Sequence, residues 1–123
     1  MTNRPLSPHL QIYKPQLTSM LSILHRITGA GLGLGALLVT GWLFAAMSGE
    51  HAFSFTRLFR ESWIGQLMLL GWVFCFVYHF LNGLRHLKWD LGYGLSLKNV
   101  YRSGTVVVIG SLIITYMIWT GVK

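Results

Sequence analysis

Long apolar runs alternate with short polar segments along this chain, and three of the runs, 27–47, 64–87 and 104–122, carry almost no charge. Each has about the 20 residues that a helix needs to cross roughly 30 Å of hydrocarbon. Backbone amides find no water at that depth, and the ten-residue alternation of a membrane barrel is absent, so the pattern predicts helices. The expected fold class is an all-α membrane protein: three transmembrane helices forming one membrane-anchor domain over 1–123. Between the first two runs, residues 48–63 hold Phe53, Phe55, Leu58 and Phe59 close together, which reads as a short interfacial element.

Composition agrees with that division. Hydrophobic residues make up 53% of the 123 and charged residues 11%, with a mean hydropathy of +0.53, which excludes an ordinary soluble domain. The formal net charge of +7 sits at the ends of the runs. Arg4, Lys14 and Arg26 precede the first, and Arg85, Lys88, Lys98 and Arg102 lie between the second and third. The opposite side has only Arg57, Arg60 and Lys123. Cytoplasmic loops carry the excess of Lys and Arg, so the N-terminus is expected inside and the C-terminus outside. Flanking charges of this kind are a topology signal and suit a phospholipid surface; they do not form the basic stripe of a nucleic-acid binder. A polar segment precedes the first run, which is read as a retained span of a multi-pass protein in a bacterial inner membrane and not as a cleaved signal.

Three spans enclose little interior, so helices of a second chain are expected to pack on them. Gly29 with Gly33, or Gly31 with Gly35, gives the small-xxx-small spacing of close helix contacts, although glycine is common in membrane helices generally. The glycine run follows no strand and lacks the spacing of a nucleotide-binding loop. Cys75 is the only cysteine, which leaves no internal disulfide, cysteine zinc site or iron–sulfur cluster within the chain.

His79 is the one acidic or basic side chain between Ile64 and Leu84. Ionisable groups at membrane depth are costly and mark function by default, so His79 is a candidate iron ligand; the plainer reading is a hydrogen bond to a neighbouring helix. His86 lies seven residues on, on nearly the same helix face but about 10 Å along the axis. Two imidazoles on opposite sides of one iron need nitrogens roughly 4 Å apart, given metal–nitrogen bonds near 2 Å. His9 and His25 precede the first run and are expected at or outside the interface, and His51 falls in the outer loop. A second ligand to the same iron is therefore expected from another polypeptide. At the cytoplasmic end, Ser22, His25 and Arg26 have the spacing to share a helix face, opposite Arg85, His86 and Asp90. A hydroxyl beside a guanidinium suits a quinone carbonyl on which negative charge grows, and the guanidinium fork equally suits a haem propionate. Arg26 as a simple marker of the membrane edge is the third reading.

The stretch Arg4-Pro5-Leu6-Ser7-Pro8-His9-Leu10, then Tyr13, then Ser22-Ile23-Leu24-His25-Arg26 with Gly29, resembles the N-terminal region of the cytochrome b large membrane-anchor subunits of succinate dehydrogenase. His79 with Gly83, Arg85, His86 and Asp90 resembles the second-helix motif of the same family. The two blocks stand at the family's separation, and the likeness covers essentially the whole chain. It implies an anchor of respiratory complex II, paired with a small membrane-anchor subunit and carrying an iron–sulfur subunit and a flavoprotein subunit.

Under that resemblance His79 is this chain's axial ligand to haem b, the opposite histidine coming from the small anchor. Ser22 and Arg26 line the ubiquinone site, His25 and Arg26 approach the haem propionates, and Asp90 belongs to a proton route to the quinone. His86 matches a family histidine that is not a ligand. Flavin and iron–sulfur clusters belong to the partner subunits, and the implied activity is electron transfer from succinate through those clusters to ubiquinone. A haem-free structural anchor and a quinol:fumarate reductase anchor use the same helices. A small transporter fits less well, because Glu50, Glu61 and Asp90 all fall outside the spans.

Overall fold

The computed structural model describes residues 14–122. The 4–10 stretch with His9, and Tyr13, lie outside the described residues, whereas residues 22–26 and Gly29 of the same signature lie within the first helix. Four helices follow in order: α1 (Leu17–Met47), α2 (Glu50–Glu61), α3 (Trp63–Asp90) and α4 (Leu97–Val122). Helices α1, α3 and α4 are long and apolar enough to cross a membrane. All three are longer than their apolar runs. At 1.5 Å per residue, the 31 residues of α1 extend about 46 Å, well beyond the hydrocarbon. The excess lies mostly at its N-terminus, where Ser19, Ser22, His25 and Arg26 interrupt hydropathy without interrupting the helix.

The 48–63 segment contains α2, a helix tied to its neighbours by short turns. Gly49 takes φ 108°, a left-handed conformation that L side chains resist, between α1 and α2. Ser62 then caps α3, its hydroxyl accepting from Gly65 N at 3.1 Å. Helix α3 ends in a Schellman turn: Gly92 N–H donates to Trp89 O at 2.8 Å and Tyr93 N–H to Lys88 O at 3.1 Å.

Helix α3 packs against both α1 and α4. The apolar core is small, with Leu21, Tyr78 and Val107 at its centre. The most deeply buried side chains are Tyr78, Asn82, Thr28 and Ser111, and three of those four are small or medium polar groups. Large apolar residues such as Leu37, Phe44, Phe76 and Ile113 face outward. That inversion suits a lipid solvent, where tails solvate leucine well and helices associate through close packing and hydrogen bonds. The Tyr78 hydroxyl donates to the Leu21 carbonyl of α1 at 2.9 Å. Beside it, a Cβ on Gly104 would come within 2.5 Å of Leu21 Cδ1, so the absence of a side chain there sets how closely α4 approaches α1. Gly31 and Gly35 meet Cys75 and Trp72 of α3, while Gly33 has open space. The glycine spacing therefore serves packing within the chain at Gly29, Gly31 and Gly35 and not at Gly33.

Candidate functional site

His79 projects from α3 toward α1 across Gly29. A Cβ at residue 29 would lie 3.0 Å from His79 Cε1, so glycine provides the space the imidazole occupies. His79 Nδ1 is 3.1 Å from the backbone carbonyl of His25 and 3.3 Å from Thr28 Oγ1. A carbonyl only accepts, so Nδ1 carries the proton and donates. Thr28 Oγ1 donates its own proton to that carbonyl at 2.9 Å and so meets His79 as an acceptor. The neutral ring is thereby held as the Nδ1–H tautomer, and its basic lone pair is on Nε2. This is the arrangement in which an imidazole binds a metal, with a carbonyl behind it fixing tautomer and orientation.

The His25 side chain is at the same level. Its ring stacks on that of His79 with centroids 3.9 Å apart and planes 8° from parallel. This corrects the expectation that His25 lies at a different level from His79. Because α1 begins at Leu17, residue 25 lies more than two turns inside the helix, and its side chain turns in against α3. The stacking does not make a second ligand to one iron. In parallel stacked rings the nitrogen lone pairs lie in the ring planes and run side by side, so they cannot oppose each other across a metal. Among the described residues no group of three or more His, Cys, Asp or Glu is arranged to hold a metal ion.

Towards the end of α3 the polar groups continue as a chain. Arg85 Nη1 donates to Asn82 Oδ1 at 3.3 Å, and the Asn82 amide donates to His86 Nε2 at 3.3 Å. His86 is 5.2 Å from His25, ring to ring, and meets Trp89 edge-on. His25 Nδ1 is buried with no hydrogen-bond partner among the described residues. Arg26 is exposed, Ser22 half-buried, and Asp90 exposed at the last residue of α3. The helix thus separates the expected trio: His25 faces inward onto His79, whereas the Arg26 guanidinium is directed away from the chain's own interior.

Thr28 and Asn82, both buried, were not among the residues the sequence singled out. Their signal was present in spacing alone. Tyr78, Asn82, Arg85 and Trp89 recur at helical intervals along α3, and Thr28 lies three residues from His25 on α1.

Comparison with known proteins gives the family. The family model described as succinate dehydrogenase/fumarate reductase transmembrane subunit matches residues 1–118. The succinate dehydrogenase cytochrome b556 subunit of Paracoccus denitrificans is 42% identical over 115 residues, covering 94% of this chain and 88% of the relative. The protein of the same name from Rickettsia conorii is 41% identical over 116 residues, with 94% and 90% covered. A cytochrome b560 subunit from Marchantia polymorpha is 41% identical over 117 residues, with 86% and 81% covered. Three membrane-length helices with a polar seam around the stacked pair His25 and His79, and likeness over nearly the whole chain, lead to one assignment: the chain belongs to the transmembrane subunits of succinate dehydrogenase and fumarate reductase, as a cytochrome b anchor of complex II.

Proposed function

We propose that this anchor holds one axial position of a haem b through His79 Nε2 and contributes Ser22 and Arg26 to the site where ubiquinone is reduced. The observation that carries the reading is the His79 imidazole itself, set over Gly29 with Nδ1–H bound to the His25 carbonyl, which leaves a directed Nε2 lone pair. The cytochrome names of the relatives support haem as the group concerned. When bound, the haem supplies a one-electron store whose potential is governed by axial ligation and burial.

The chain's own residues then have separable tasks. The His25 carbonyl and Thr28 fix the orientation of His79. The stacked His25 ring covers one face of that imidazole, and its unpartnered Nδ1 is available to a carboxylate such as a propionate. Arg26, exposed beside it, brings a permanent positive charge to the membrane interface, where it would stabilise the negative charge that develops on a quinone oxygen, and the Ser22 hydroxyl would donate to the same oxygen. Asp90 would pass protons at the far end of α3. Because a single chain supplies one imidazole, the opposite ligand comes from a small anchor subunit packed on the exposed apolar faces. Succinate is oxidised by flavoprotein and iron–sulfur subunits docked on the N-terminal side. The charge distribution supports placing that side in the cytoplasm of a bacterial inner membrane.

The test is a dithionite-reduced minus oxidised visible spectrum of the complex purified through a tag on this chain, native against His79→Leu. A low-spin b-type band that disappears or shifts in the variant, with all partner subunits retained, is the expected result. An unchanged spectrum in the variant removes His79 as ligand, and a native complex without the band turns the assignment to a haem-free anchor.

A further inference from the structure

Arg85 is 6% exposed, and arginine is charged at any physiological pH. Its partners are all neutral: Nε donates to Ser103 Oγ at 3.0 Å, Nη1 to Asn82 Oδ1 at 3.3 Å and Nη2 to the Val100 carbonyl at 3.0 Å, with the Trp89 ring 4.0 Å below the guanidinium. Among the described residues the ion pairs are those of Arg57 and Arg60 with Glu61, on another helix. Burying a cation without a counter-charge is costly even when its hydrogen bonds are made.

The charge does not stand alone. Between the end of α3 and the start of α4 lies a pocket of about 450 Å³ whose lining includes Arg85, Lys88, Trp89, Tyr93, Asn99 and Arg102. Three cations converge on it, and none of the lining residues is acidic. Lys88 and Arg102 are exposed, and the Lys88 stem runs past Gly94, whose added Cβ would be 3.6 Å from Lys88 Cε. The pocket lies where two candidate membrane spans end, at the C-terminus of α3 and the N-terminus of α4, and its lining includes Trp89 and Tyr93. Aromatic rings favour that level of a bilayer, and lipid phosphates are found there.

We propose that this α3–α4 pocket binds the phosphate group of an anionic phospholipid, with Lys88 and Arg102 engaging the head group and the buried Arg85 supplying the charge beneath it. The site is separate from His79 and does not depend on the haem assignment.

The test is native mass spectrometry of the delipidated complex in neutral detergent, titrated in parallel with phosphatidylglycerol, phosphatidylcholine and inorganic phosphate, for the native chain and for Lys88→Gln/Arg102→Gln. Phosphatidylglycerol is expected to bind more tightly than phosphatidylcholine. Each neutralised cation should weaken it about fivefold, roughly 25-fold for the pair, with phosphatidylcholine unaffected. Equal affinity for the two lipids, or an unchanged double variant, overturns the proposal. Saturation by inorganic phosphate that blocks phosphatidylglycerol reassigns the pocket to a soluble anion. Loss of the extrinsic subunits from the double variant, with lipid binding intact, reassigns it to an acidic protein surface.

Discussion

The imidazole of His25 lies face to face with that of His79, 3.9 Å away and 8° from parallel. One helix therefore contributes to the other both a backbone carbonyl and a flat ring. Replacing His25 by Phe keeps both, and its b-type band is expected to survive. His25→Ala removes the ring alone and should lower the thermal midpoint for haem release by the equivalent of about 0.5–1.5 kcal/mol, the worth of one stacked ring pair. Visible absorbance followed during heating distinguishes the two variants.

Thr28 gives a sharper test of how His79 is tuned. Its hydroxyl is one of two acceptors near Nδ1–H, and such partners raise the basicity of a metal-bound imidazole. Thr28→Val preserves shape and removes that acceptor. Under the proposed ligation His79 would then donate less to iron, the oxidised state would be less stabilised, and the haem midpoint potential should rise, while Thr28→Ser should leave it near the native value. A redox titration in which Val and Ser behave alike would remove Thr28 from this role.

Gly35 is the tightest glycine contact between α1 and α3. A Cβ built there falls onto the indole of Trp72, and a flat bicyclic ring has little freedom to withdraw. Gly35→Ala should destabilise the complex by about 1–3 kcal/mol, the usual cost of overpacking. Combining it with Trp72→Leu should restore part of the loss, so a double-mutant cycle of thermal midpoints should give a non-zero coupling. Strict additivity would mean that the helices part without cost at this level.

Arg85→Lys separates geometry from charge. Lysine keeps the positive charge but cannot span Ser103, Asn82 and the Val100 carbonyl with one planar fork. Interhelical hydrogen bonds in membranes average about 0.6 kcal/mol each, so a loss of about 1–2 kcal/mol is expected in a denaturation series. A midpoint equal to that of the native complex would show that charge alone is what the position requires.

The spans were legible because about 20 uninterrupted apolar residues have one stable form in a bilayer. The extension of the first span was not, since hydropathy ends at Arg26 while the α1 backbone continues back to Leu17. The level of His25 depended on that extension and was misplaced with it. His79 stood out as a lone ionisable group. Thr28 and Asn82 did not, because a neutral polar residue inside an apolar run looks the same whether it faces lipid, a helix or a cofactor; only the packing of α1 on α3 distinguishes these.

The apolar cleft of about 490 Å³ between Leu38, Trp42, Phe59 and Trp72 lies at the opposite end of α1 and α3 from the joint of Leu21, Tyr78 and Gly104. Toward that end α1 and α3 are joined through α2 as well as at Gly35: Phe53 of α2 meets Trp42 of α1, and the Phe59 backbone lies against Gly65 of α3. The amphipathic helix thus acts as a hinge pin over an apolar cleft, and detergent or heat that lifts α2 should loosen this end before the histidine end lets go of anything it holds.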